Sequence, residues 1–269
     1  MTMILLFKLA TTPFLIAVLT LLVRRFGPAV GGLAMGVPLV TGPLSIFTAI
    51  EQGRAFAAQA AIASLVGQVS TCIFCFAYAR AARRAGAWPS AGGGIIAFLV
   101  ATLLWSEVRW TLLSAIALLL ATLMFLARAM PSLAQTRLER NAPWWWDVPL
   151  RMLVSAGFVL ALSSATGHLG PQLSGLLAPF PVFVLILGVM CHRHEGGEAA
   201  GSMMRGVAMG SLSFTAFFAI AAATLPSWPM LASYGAATLA SMAASGIVYF
   251  TLNRPARLWP WAPATRCAA

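Results

Sequence analysis

Three basic residues lie within or beside long apolar segments, where a charge is costly and usually has a function. Lys8 and Arg151 each lie near the start of such a segment, one in each half of the chain. Because a cation at a helix N-terminus opposes the helix dipole, an anion should compensate it. Lys8 and Arg151 could attract an anionic or carboxylate-bearing solute, or they could extend to the lipid headgroups, or Arg151 could pair with Asp147 one turn earlier. Arg205 lies deeper in its segment and is a third candidate.

Two apolar segments carry glycine and proline interruptions. The first contains Gly36 and Pro38, and the second contains Pro179 and Pro181. A proline inside a helix removes a hydrogen bond and costs about 3 kcal/mol. In lipid the freed backbone groups persist only where protein or a water-filled cavity satisfies them. Paired breaks predict a binding site near the membrane midplane, although kinks that allow close helix packing are the alternative.

Matched hydroxyl groups supply a further set of candidates. Ser70 and Ser213 lie within apolar segments, one in each half of the chain, accompanied by Gln68 and Ser211. These side chains could contact a polar solute. Hydrogen bonding between neighbouring helices is the commoner use of such groups.

The residue types needed for catalysis or ion coordination are missing from the apolar segments. No Asp or Glu lies well inside them, so a proton relay or sodium site has no obvious carboxylate. The tract 191–198, with two histidines and two glutamates, matches no defined metal spacing. A P-loop and a Ser/His/Asp arrangement are also missing. The sequence therefore predicts a protein that is not an enzyme and has no cofactor.

Composition places these segments in a membrane. The 269 residues are 60% hydrophobic and only 9% charged, with a net charge of +11. Soluble domains have about 25% charged residues, so this chain cannot cover a surface that faces water. Nucleic acid is excluded as a partner because the arginines form short clusters between apolar runs, a pattern typical of topology signals.

Apolar runs predict an all-α bundle of about nine transmembrane helices. The connections after helices 1, 3, 5 and 7, with the C-terminal tail, carry twelve basic residues, and the opposite side carries three. The positive-inside rule then places the N-terminus outside and the C-terminus in the cytoplasm of a bacterial-type inner membrane. The predicted spans are 3–23, 28–50, 56–79, 91–106, 109–129, 149–167, 172–191, 202–224 and 229–252.

A single shift along the chain aligns its two halves. It superposes 24–40 on 167–183 without a gap, with Gly-Pro, Gly-Leu and a later proline in common, and it pairs Gly53 with Gly196. The same shift, called the repeat offset below, pairs the basic and hydroxyl residues named above, Lys8 with Arg151 and Ser70 with Ser213. We interpret this correspondence as an internal duplication.

The duplication divides the chain into two repeats. Residues 1–130 are the first repeat with five helices, 131–148 a cytoplasmic linker, and 149–269 the second repeat with four helices and a tail. Since five helices precede it, the second repeat should be inverted. Inverted repeats are a plan typical of secondary transporters.

The repeat unit resembles the small GlpM-like inner-membrane proteins, as a tandem duplication. The resemblance rests on an early basic residue, Arg151, followed by SGLLAPFPVFVLILG at 174–188. The first half keeps Lys8 and GGLAMGVPLV at 31–40, with Val37-Pro38 in place of Phe-Pro. The resemblance implies a fused version of a protein that otherwise assembles from separate copies. It also implies a role in membrane transport or envelope assembly.

The sequence thus predicts a permease or exporter for a small polar or anionic solute, with its site between interrupted helices 2 and 7. The alternative is a non-catalytic accessory protein for envelope polysaccharide or lipid assembly. The partners expected are membrane lipids and the solute, while a homo-oligomer and an envelope-assembly partner stay open. The predicted solute-binding residues are Lys8, Gly36, Pro38, Ser70, Arg151, Pro179, Pro181, Arg205 and Ser213.

Overall fold

The computed structural model describes residues 38, 41–130, 157 and 169–252, with side chains described as far as 248. Lys8, Gly36 and Arg151 lie outside the described residues. So do the predicted linker and all but one residue of the predicted spans 3–23 and 149–167. The described part contains seven helices and no strand.

The seven helices follow the apolar runs. They are α1 (Thr41–Gln52), α2 (Arg54–Ala81), α3 (Ala87–Ser106), α4 (Leu112–Ala129), α5 (Val182–Glu195), α6 (Gly197–Thr224) and α7 (Met230–Leu252). Residues 169–177 are also helical, and a break at 178–181 separates them from α5. Six helices of the described part, with Leu169–Glu195 taken as one, are long and apolar enough to cross a membrane. The prediction of an all-helical chain with several membrane-spanning segments is confirmed.

Local sequence explains where several helices begin. Gly53 alone separates α1 from α2, and Gly196 alone separates α5 from α6. Both glycines have φ of 90°, a conformation that residues with a Cβ rarely adopt. At α4, Thr111 accepts a hydrogen bond from the backbone N–H of Ser114, and the Ser114 hydroxyl accepts one from the N–H of Thr111. This capping box satisfies donors that a helix start leaves unpaired.

The two longest helices, α2 and α6, form the centre of the bundle and run antiparallel. At one end, the backbone of Ala82 lies against Gly197. In the middle, the Gln68 side-chain amide donates to the Ser211 hydroxyl at 2.7 Å. At the other end, the Arg54 guanidinium donates to the Trp228 carbonyl at 2.9 Å. These contacts bring the start of each helix beside the end of the other.

The remaining helices surround this pair. α1 and α3 pack on α2, α5 and α7 pack on α6, and α4 contacts both central helices. Leucines on the outer faces of α3, α4 and α7 are highly exposed: Leu103 by 68%, Leu113 by 80% and Leu231 by 88%. In a membrane-spanning bundle such apolar side chains face the lipid. The core therefore lies between α2 and α6.

Helix ends in the two halves of the chain coincide at the repeat offset. At this offset α2 and α6 share both ends, α3 and α7 share their first residue, and α1 and α5 share their last. Backbone hydrogen bonds at the helix starts involve the equivalent prolines. The N–H of Gly42 donates to Pro38 at 2.9 Å, and the N–H of Leu185 donates to Pro181 at 2.8 Å.

Close approach of the backbones depends on glycine at particular positions. A Cβ built on Gly67 of α2 would fall within 3.0 Å of the carbonyl oxygen of Leu176, and one on Gly175 would meet the carbonyl oxygen of Ala60 in the same way. Neither backbone atom can move aside cheaply. The segment 169–177 and α2 therefore touch at a distance that only glycine allows, as in other membrane helix pairs with small residues.

We predict that Gly67→Ala destabilises the protein by about 1–3 kcal/mol, the usual cost of inserting a methyl group into a packed interior. Thermal unfolding of the purified protein in detergent measures the effect. Gly93→Ala is the matched control, because a Cβ at Gly93 on α3 meets nothing within 4 Å. Equal melting temperatures for the two variants would contradict the close packing.

Candidate functional site

The break at 178–181 is held against the central helix. The hydroxyl of Thr71 on α2 donates to the carbonyl of Pro179 at 2.7 Å, and the ring of Phe98 on α3 packs edge-on against Phe180 at 5.0 Å. Protein groups thus satisfy a carbonyl that the helix break frees, as the membrane environment requires. The carbonyl of Pro179, a predicted solute-binding residue, is thus occupied by a hydrogen bond within the protein. Its partner Thr71 is not among the residues that the sequence singled out.

Pro38 and Pro181 occupy equivalent places at the starts of helices. Both are non-helical and buried, and each carbonyl accepts the first hydrogen bond of the helix that follows, α1 or α5. A proline before a helix has no donor of its own to leave unpaired. Pro38 thus precedes the short helix α1, and Pro181 precedes α5 at the end of the break at 178–181.

A small cavity lies between α1, α2 and the segment 169–177. Its volume is about 20 Å³, enough for one group the size of a water molecule. The site lies beside both interruptions, next to the start of α1 and to the residues that precede the break at 178–181. Its lining residues are Thr41, Leu44, Ser45, Thr48, Ala60, Ser64, Ser174, Gly175, Ala178 and Phe218.

Hydroxyl groups dominate the polar part of this lining. Ser45, Thr48 and Ser64 are at least nine-tenths buried, and the buried hydroxyl of Thr41 has no hydrogen-bond partner in the described part of the chain. None of the described residues that line the cavity is charged. The arrangement can therefore bind a small polar group by hydrogen bonds, with the Phe218 ring as an apolar wall.

The sequence contains a signal for this cavity in the spacing of three hydroxyl residues on α1. Thr41, Ser45 and Thr48 are spaced by four and three residues, so they share one face of a helix. A stripe of hydroxyls on an otherwise apolar helix indicates a polar contact along that face. Ser64 and Ser174 carry no such pattern, since only the packing of α2 against 169–177 brings them to the same place.

The predicted hydroxyl pair Ser70 and Ser213 does not line the described cavity. Ser213 on α6 hydrogen-bonds to Ser245 on α7 at 2.7 Å. The equivalent positions in the first half, at the repeat offset, are Ser70 on α2 and Thr102 on α3. Both are buried, and neither hydroxyl has a hydrogen-bond partner among the described residues. The same pair of positions is thus bonded in one half of the chain and unbonded in the other.

Arg205 contacts the end of α4. Its guanidinium donates to the carbonyls of Met130 and, at 3.0 Å, of Ala127. The last carbonyls of a helix have no partner within the helix, and the negative end of its dipole favours a cation there. Arg205 thus joins α6 to the C-terminus of α4, and it is not among the described residues that line the cavity.

The histidine of the tract 191–198 and the paired cysteines of α2 make packing contacts. Within the residues that the structure describes, no group of three or more His, Cys, Asp or Glu side chains converges on a possible metal site. His192 contacts the hydroxyl of Tyr78 at 3.4 Å. Cys72 and Cys75 are fully buried free cysteines, and the Cys72 thiol lies 3.7 Å from the Ser211 hydroxyl between the central helices.

Comparison with known protein families, with curated protein sequences and with solved structures gives no match to this chain.

We predict that Arg205→Gln destabilises the protein by about 1.5–3 kcal/mol, because it removes charge-assisted hydrogen bonds to α4. Arg205→Lys should recover only part of the loss, since an ammonium lacks the two-armed geometry of a guanidinium. Thermal unfolding checks both, with Arg83→Gln in the exposed turn after α2 as control. A variant Arg205→Gln as stable as the wild type but changed in solute flux would instead favour direct solute contact.

Proposed function

We propose that this chain is an inner-membrane permease or exporter for a small polar or anionic solute. The observation that carries the proposal is the hydroxyl-lined cavity between α1 and the segment 169–177, beside the start of α1 that follows Pro38 and the break at 178–181. Irregular backbone at membrane depth is tolerated where it is buried in protein or lines a cavity, and transporters place substrate sites at such breaks. Lys8 and Arg151 stay candidate charge partners for an anionic solute.

We propose in addition that the chain contains two inverted repeats. Helices α2 and α6, of equal length and related by the repeat offset, support a duplication. The antiparallel contact of α2 with α6 supports inversion, because equivalent helices that run in opposite directions are related by a two-fold axis across them. The bond between Gln68 and Ser211 joins equivalent positions, which places it next to such an axis.

One hydroxyl pair is hydrogen-bonded and its equivalent in the other half is not, and this difference supports a protein with two conformational states. Inverted repeats let a transporter exchange the conformations of its halves, so that a central site opens to each side in turn. The bonded pair Ser213–Ser245 and the unbonded pair Ser70–Thr102 are what such a protein shows when its halves differ. Two buried hydroxyls without partners cost about 1–3 kcal/mol each. When the halves exchange, closing of the pair Ser70–Thr102 would recover this energy while opening of the pair Ser213–Ser245 would lose a similar amount, so the two states would stay close in energy.

The distribution of charge supports a cytoplasmic location for one end of the bundle. The contacts of Ala82 with Gly197, and of Arg205 with Met130, gather the ends of α2 and α4 with the start of α6. Arg54 and Arg109 lie at the opposite end. By the positive-inside rule, the more basic end faces the cytoplasm. The basic residues at that end are Arg80, Arg83, Arg84, Arg128 and Arg193.

Inversion predicts opposite labelling of two equivalent surface positions. Ala55 and Glu198 are exposed, are paired by the repeat offset and each follow a helix start, and neither has the positive φ that would strain a cysteine at Gly53 or Gly196. In a background without the native cysteines, we expect Ala55→Cys to react with an impermeant maleimide in intact cells. Glu198→Cys should react only after permeabilisation. Labelling of both from the same side would overturn the inverted topology and favour the accessory role in envelope assembly.

The two-state proposal predicts cross-linking at both hydroxyl pairs. In the same cysteine-free background, Ser213→Cys with Ser245→Cys should form a disulfide readily, since the two hydroxyl oxygens lie 2.7 Å apart. Ser70→Cys with Thr102→Cys should form one more slowly, because the pair has to approach first. Oxidation in membranes followed by a mass shift on proteolysis measures both rates, with each single variant as control. If the pair at 70 and 102 never cross-links, the exchange of states is wrong.

A further inference from the structure

Three of the hydroxyls that line the cavity have already used their protons, whereas the Thr41 hydroxyl has no hydrogen-bond partner among the described residues. Thr48 donates to the carbonyl of Leu44 at 2.9 Å, and Ser64 donates to the carbonyl of Ala60 at 2.8 Å, both within their own helices. A hydroxyl has one proton and two lone pairs. What Thr48 and Ser64 can still offer to a molecule in the cavity is therefore an acceptor.

The Ser45 hydroxyl also donates its proton to a group within the protein. The Tyr234 hydroxyl donates its single proton to the carbonyl of Ser45 at 2.8 Å. The contact of 2.9 Å between the Ser45 and Tyr234 hydroxyls must then use the proton of Ser45. Three of the hydroxyls that line the cavity are consequently restricted to accepting hydrogen bonds.

An anion finds few donors in this cavity. The start of α1 is beside it, yet the N–H of Gly42 is bonded to Pro38 and Pro43 has no N–H. Helix starts bind anions through free N–H groups, and neither Gly42 nor Pro43 offers one here. Acceptor oxygens held around an anion would repel it.

A cation is disfavoured for different reasons. None of the described lining residues is charged, so a buried cation would have no carboxylate to compensate for its lost hydration. The positive end of the α1 dipole also lies beside the cavity. An uncharged group suits the lining, because it can donate hydrogen bonds to the acceptor oxygens and accept one from the unbonded Thr41 hydroxyl.

We infer that the cavity binds the hydroxyl or amide N–H group of a small uncharged solute, a polyol or a carboxamide, through the acceptor oxygens of Thr48 and Ser64. This inference rests on the proposed transport function and narrows its substrate class. The volume of about 20 Å³ fits one such group, and the ring of Phe218 contacts the carbon skeleton next to it.

Solute flux into proteoliposomes tests the inference. Stopped-flow light scattering follows the entry of erythritol and urea as neutral donors, of sodium glycolate as an anion and of ethanolammonium chloride as a cation, with ionophores present to prevent charge build-up. We expect the full-length protein to raise erythritol or urea flux above that of protein-free liposomes. Glycolate and ethanolammonium flux should stay at the protein-free level.

Variants at Thr48 test whether its hydroxyl oxygen binds the solute during flux. Thr48→Val keeps the shape and removes the acceptor, and it should lower the protein-dependent flux about fivefold, as expected for one hydrogen bond. Thr48→Ser keeps the oxygen and should restore most of the flux. Thr122→Val is the matched control, because Thr122 on α4 makes the same bond to its own helix, to Leu118 at 2.8 Å, away from the cavity.

Each result separates the inference from the transport proposal. Flux of glycolate or ethanolammonium without flux of the neutral solutes would overturn the inference and leave transport supported. If none of the solutes enters the proteoliposomes faster than without protein, thermal unfolding of the purified protein tests ligand binding instead. It is measured in erythritol and in urea below denaturing concentrations. Stabilisation that Thr48→Val removes would support the neutral ligand and overturn transport, and no stabilisation would overturn both.

Discussion

The antiparallel packing of α2 against α6 is the contact on which the rest of the structure depends. No water in a bilayer core can satisfy a polar group, so each one must find a partner within the protein. Gln68 and Ser211 meet this requirement for each other between the two helices. Gly197 allows the close approach at the start of α6, because a Cβ there would fall within 3.0 Å of the carbonyl oxygen of Ala82. Every other described helix packs on one or both of this pair.

Helix α2 also stabilises the interrupted segment around the break at 178–181. Thr71 bonds to the carbonyl freed at Pro179, and Gly67 and Ala60 of α2 lie against the backbone of 175–176. The interrupted segment is therefore fixed at several points, and the cavity lies where α1 and that segment flank α2. The position of α2 therefore determines the shape of the cavity.

The two halves share their backbone plan and differ in their side chains. At the repeat offset, the cavity hydroxyls Thr41, Thr48 and Ser64 correspond to Val184, Cys191 and Val207. These three hydroxyls, which the first half supplies to the cavity, thus have apolar or thiol counterparts in the second half.

Composition and apolar periodicity alone determined that this chain is a multi-helix membrane protein, since helix length and hydropathy are local properties. Individual residues in the sequence also fix several helix ends of the described part. Gly53, Gly196 and the prolines interrupt a helix through backbone effects that extend over no more than one turn. The sequence could not determine which polar groups meet. Ser64 and Ser174 join Thr48 at one cavity, and Arg205 reaches the end of α4, through contacts between residues far apart in the chain. Only the tertiary packing of α2 decides these contacts, because a hydroxyl or guanidinium in an apolar run indicates that it needs a partner without indicating which one.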